Sequence, residues 1–134
     1  MLVINVVRAS RHGREALMNL IRLARHQHPA PPDQELRKKG VFDSGSRHVG
    51  QVENLYVEED SRRLRFVDVV TGGFLGLGRQ HCLVPVEAIT DRAPGSITLG
   101  VDQRTLEGGP AFFNPQVVPD ERLQRATREH YGNG

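Results

Sequence analysis

The chain has 134 residues, 37% of them hydrophobic and 25% charged, which fits one small domain with enough apolar content for a core. Fourteen glycines and eight prolines, against five phenylalanines, two tyrosines and no tryptophan, favour turns and short strands over a helical bundle. The single cysteine, Cys82, excludes an internal disulfide and a multi-cysteine zinc site, and no apolar run approaches the roughly 20 residues of a membrane span.

The net charge of +2 is unevenly spread. Residues 1–40 carry eight Lys/Arg and three Asp/Glu; residues 41–134 carry ten and thirteen. The basic character therefore belongs to the N-terminal segment, in the manner of a segment that meets nucleic acid, an anionic membrane or an acidic partner, or of a solvated helix and linker. Met1–Val7 is too short for the apolar region of a signal peptide and its charges follow the apolar run, so a cytoplasmic location is expected.

In chain order, Leu2–Val7 is apolar and β-branched and reads as a short strand. Ser10 is a candidate cap for a helix over Arg11 to His26. Its apolar stripe is Leu17, Leu20, Ile21 and Ala24, at helical spacing, while Arg11, Arg14, Arg22 and Arg25 fall mostly off it. His28-Pro29 ends the helix, and Pro29, Pro31 and Pro32 read as a stiff linker towards Gly40. The pair His26 and His28 has no third ligand at suitable spacing, so no metal is expected.

Val41–Asp43 opens an extended run that turns at Ser44-Gly45-Ser46. In His48–Glu58 the residues Val49, Val52, Leu55 and Val57 cannot all share one face of a regular strand. A β-bulge between Val49 and Leu55 resolves the register, and bulges of this kind curl sheets into small barrels. After a polar loop at Glu59–Arg62, the strand Leu64–Thr71 is apolar on both faces and is expected to be covered on both. Asp68 is its misfit: buried there, it needs a hydrogen-bond donor or a cation, such as an arginine or backbone N–H groups. Gly72–Gly78 lacks the Gly-Lys-Ser/Thr and the Gly-x-Gly-x-x-Gly of phosphate and dinucleotide loops; its glycines serve positive φ. Phe74, Leu75 and Leu77 in this connector either tuck under the sheet or form an apolar lip for a partner. Gln80–Val86 resumes extended structure, with Pro85 at an edge, bulge or strand end and Cys82 as a small buried hydrophobe. Ser96–Val101 is the last strand, with Ile97 and Leu99 on one face. Asp102–Gly108 reads as a helical turn, and Pro119 starts a polar helix from Asp120 to Tyr131 that needs the barrel wall or a partner.

Three strings carry a resemblance: Gly50-Gln51-Val52-Glu53-Asn54-Leu55-Tyr56-Val57, then Arg65-Phe66-Val67-Asp68-Val69-Val70-Thr71 with the glycine connector to Gly78, then Leu83-Val84-Pro85-Val86-Glu87-Ala88-Ile89. Together they resemble the PRC-barrel family across residues 41–101. The resemblance implies a mainly β fold, a small six-stranded PRC-type barrel, here with an N-terminal amphipathic helix and a C-terminal helix. The implied division is 1–40, basic helix and Pro-rich linker; 41–101, barrel; 102–134, tail with helix. Family members include the cytoplasmic domain of the photosynthetic reaction-centre H subunit, the C-terminal domain of a ribosome maturation factor, and stand-alone proteins. The family has no common catalytic residues. Neither the H subunit's membrane helix nor the maturation factor's N-terminal barrel is expected from these 134 residues, so neither specific role is carried over.

The resulting expectation is a non-catalytic docking module that binds a partner protein or itself, without cofactor or metal. Its candidate contact residues are Phe74, Leu75 and Leu77 in the connector and the basic Arg14, Arg22 and Arg25. Ribosome or RNA association through the basic segment, and peripheral membrane attachment, are the alternatives.

Overall fold

A computed structural model of the chain describes residues 19–72 and 78–132. The strands are β1 (Leu20–Arg22), β2 (Gly40–Phe42), β3 (His48–Glu58), β4 (Leu64–Thr71), β5 (Gln80–Pro85), β6 (Ile89–Ala93) and β7 (Ser96–Leu99). A 3-10 turn, Val86–Ala88, joins β5 to β6, and two helices follow, α1 (Gln103–Glu107) and α2 (Glu121–Gly132). The sheet order is β5-β4-β3-β2-β7-β6, with β1 also paired to β3. All pairs are antiparallel except β2 with β7. The fold is mainly β, a sheet curled into a half-barrel.

β3 organises the sheet because it is long enough to serve three neighbours. β4 runs along one side, while the other side is shared by β2, opposite His48, Gly50 and Gln51, and β1, opposite Tyr56–Glu58. The bulge expected between Val49 and Leu55 lies between Val52 and Asn54, and a second irregularity follows between Tyr56 and Val57. The shift lets Val49, Val52, Leu55 and Val57 all enter one core, with Val67, Val69, Cys82, Val84, Ile97 and Leu99. Gly50 is required for the approach of β3 to β4: a Cβ there would stand 2.3 Å from the Val70 carbonyl oxygen.

The opposite face of β4 is covered too. Tyr56, Phe66, Leu83 and Leu20 form a second cluster with Phe112 of the C-terminal segment, flanked by Val118 and Leu123. The Tyr56 hydroxyl donates to the Pro115 carbonyl, and the Arg128 guanidinium lies 5.1 Å from the centre of the Phe66 ring. Helix α2 is capped by Asp120, which accepts from the Leu123 N–H, and the residues it buries are Gln124 and Thr127, while Leu123, Ala126 and Tyr131 are half-buried.

Two local expectations are corrected. The helix read over Arg11–His26 does not extend through its last part, because Leu20–Arg22 is a strand on β3 and the Leu23 N–H continues the ladder to the Leu55 carbonyl. Leu20 and Ile21 fit the helical stripe, but in a strand Leu20 and Leu23 fall on opposite faces, one in each core; the unfilled half of β3's edge decides for the strand. The expected helix before Asn19, and the expected strand at Leu2–Val7, lie outside the described residues. The proline-rich stretch expected as a linker is sewn to the sheet: Leu36 is fully buried, and the Asp33 carboxylate accepts from Arg63 and from the Leu64 N–H.

Candidate functional site

Between β1 and β2, the edge of β3 faces an open groove of about 470 Å³. It lies over Leu23 and Val52 of the main core, and its walls carry Arg22, Arg25, Arg37 and Lys38 against Glu35 and Glu53. The two acids are already engaged. Arg37 donates through Nε to one Glu35 oxygen at 2.7 Å and through Nη2 to the other at 2.6 Å. That bonding outweighs burial and holds the Glu35 carboxyl down to about 2. Arg37 also donates to the carbonyls of Ala24 and Gln27, so it pins the turn after β1 and is committed to structure. Glu53 is paired with Arg79 at 3.4 Å. Arg22, Arg25 and Lys38 have no carboxylate partner among the described residues.

Arg22 reaches the groove at the end of a polar row that crosses four strands. The register places Arg22 opposite Tyr56, Asn54 opposite Asp68, and Asp68 opposite Leu83, all on the face away from the main core. The Asn54 amide donates to Asp68 at 2.8 Å, its carbonyl accepts from Arg22 at 3.5 Å, and His81 Nδ1 stands 3.0 Å from both Asp68 oxygens. Asp68 has no exposed surface, and burial pushes its carboxyl above the ordinary value against the opposing bonds from Asn54 and His81. The donors it needs are thus an asparagine and a histidine, not the arginine or backbone N–H groups named as examples.

Lys38 stands in the left-handed region, φ 73°, at the third position of a turn closed by the Lys39 N–H to the Leu36 carbonyl. Glycine is the usual residue there.

A second surface is apolar. Helix α2 and the segment before it form a hollow of about 560 Å³ lined by Phe112, Val118, Leu123 and Ala126, with Asp120 and Arg122 at its rim. Phe113 and Val117 stand over it, 90% and 61% exposed.

Of the residues singled out from sequence, Arg22 and Arg25 come together in the groove. Phe74, Leu75, Leu77 and Arg14 lie outside the described residues. At the neck of their connector, Gly72 and Gly78 both have positive φ, 75° and 65°. A Cβ on Gly72 would stand 2.3 Å from the Gly78 carbonyl oxygen, so the two backbones touch. Lys38, Asn54 and His81 were not singled out; in sequence they are an ordinary turn lysine and two strand polar residues. His28 bonds Glu35 at 3.0 Å. Among the described residues no three His, Cys, Asp or Glu side chains are grouped to hold a metal.

Residues 32–105 match the family model of the PRC-barrel domain. The chain belongs to the PRC-barrel family. No curated protein matches it. The part of this PRC barrel that matches contains Lys38, Asn54, Asp68 and His81, whereas Arg22, Arg25 and the Phe113 surface lie outside the matched span. Among the described residues no helix is long and apolar enough to cross a membrane.

Proposed function

We propose that this PRC-barrel protein is a non-catalytic docking module and that a second copy of the chain seats on its C-terminal apolar face. The observation that carries this reading is Phe113, 90% exposed at the rim of an apolar hollow on its own surface. A knob beside a hole is self-complementary: under two-fold symmetry each copy inserts Phe113 into the other's hollow. Full burial of one phenylalanine contributes about 1.5–3 kcal/mol, and the symmetry doubles it.

The absence of chemistry is part of the proposal. The nearest approach to a catalytic pair among the described residues is Asp68 with His81, and His81 bonds only Asp68. The neighbouring Cys82 points into the core, where burial pushes its thiol up to about 11, so it offers no nucleophile.

Sedimentation equilibrium over a range of protein concentrations tests the reading. The wild type is expected to dimerise and Phe113→Asp to remain monomeric with an unchanged urea midpoint. A wild type that is monomeric at every concentration removes the second copy as occupant. The face is then tested for a different protein by crosslinked co-purification from the native host with and without Phe113→Asp.

A further inference from the structure

We propose that the groove at the edge of β3 binds a carboxylate-bearing peptide segment of a partner protein, received by Arg22, Arg25 and Lys38. Charge is the first argument. Both acids in the groove wall are neutralised within the protein, Glu35 by Arg37 and Glu53 by Arg79, while the three cations have no carboxylate among the described residues. An incoming carboxylate completes the balance.

Preorganisation is the second. Asn54 is oriented by the buried Asp68, which His81 holds in turn, so the Asn54 carbonyl is fixed to receive Arg22. A guanidinium held before the ligand arrives loses less side-chain freedom on binding, and its fork matches a carboxylate. Lys38 projects from a turn position at which glycine would be less strained.

The lining selects the ligand class. Gln51 and Asn54 line it beside the cations, a polar wall suited to the backbone and side-chain oxygens of an acidic peptide. No aromatic residue lines the groove to stack a base, as single-stranded RNA would need. This face is separate from the Phe113 hollow, so either can fail without the other.

The test is fluorescence anisotropy with a fluorescein-labelled hexaglutamate peptide at low ionic strength, with polyuridylate RNA titrated in parallel. The peptide is expected to bind the wild type and to lose about tenfold or more in affinity in the double variant Arg22→Gln/Arg25→Gln. Lys38→Gly is expected to weaken binding while holding or raising the urea midpoint, since it removes a left-handed lysine; a loss of affinity there cannot be ascribed to unfolding. Arg92→Gln, a cation outside the groove, is expected to bind as the wild type does. The proposal is overturned if the wild type does not bind the peptide, or if the groove variants bind it as tightly as the wild type. RNA that binds more tightly than the peptide and is lost with the same substitutions overturns it equally.

Discussion

Asp68 sits without exposed surface in the middle of a four-strand polar row, and its carboxyl holds a proton more tightly folded than unfolded. A raised acid contributes stability that is complete below its ordinary value of 3.8 and is lost as pH climbs through the folded value. Asp68→Asn keeps the shape and removes the ionisation. It is therefore expected to have a higher urea midpoint than the wild type at pH well above the folded value, with the difference closing as pH falls towards 3.8. The same row explains why Asp68 looked wrong in a strand of valines. A polar residue on a covered face is tolerable only with partners, and these come from the strands on either side, at sequence separations of 14 and 13. Lys38 is the residue-scale counterpart at the surface: nothing in Arg37-Lys38-Lys39-Gly40 announces which lysine takes the left-handed position.

At the scale of elements, the β3–β4 ladder is the joint on which the curl depends. It rests on a bulge and on a glycine. Gly50→Ala puts a Cβ 2.3 Å from a backbone oxygen of β4, which cannot swing away as a side chain can. The expected loss is about 2 kcal/mol or more, read from the urea midpoint. Gly95→Ala, in the β6–β7 turn with open space around it, is expected within about 0.5 kcal/mol of wild type. The bulge was legible because four apolar residues of one strand could not otherwise share a face. The strand at Leu20–Arg22 was not legible, since its apolar spacing also suits a helix and only the half-empty edge of β3 distinguishes them.

For the whole molecule, the segment between β1 and β2 is held to the barrel by charge as much as by Leu36. Arg37 and Glu35 bond each other and the turn after β1, while Asp33 ties the same segment to Arg63 and Leu64. The Glu35 carboxyl, depressed to about 2 from 4.5, contributes stability that is present above 4.5 and lost as pH falls through about 2. Glu35→Gln is expected to lower the urea midpoint at neutral pH, with the gap to wild type closing across that window. A gap that persists at the acid end would mean the glutamate acts by packing alone.

What the amino-acid order determined by itself was local and periodic. It covers the strands β3 and β4, the bulge, the glycine neck at Gly72 and Gly78, the helix from Asp120, and the strings that place the chain among PRC barrels. These follow from φ/ψ preference and from which side chains avoid water, and both act between near neighbours. The tertiary structure alone decided that Arg22, Arg25, Lys38 and Asn54 meet in one groove, that Asp68 rests on Asn54 and His81, and that Phe113 stands beside a hollow. Each of those depends on strands far apart in sequence being brought side by side, which hydrogen-bond pairing across the curled sheet accomplishes and no short stretch of residues encodes.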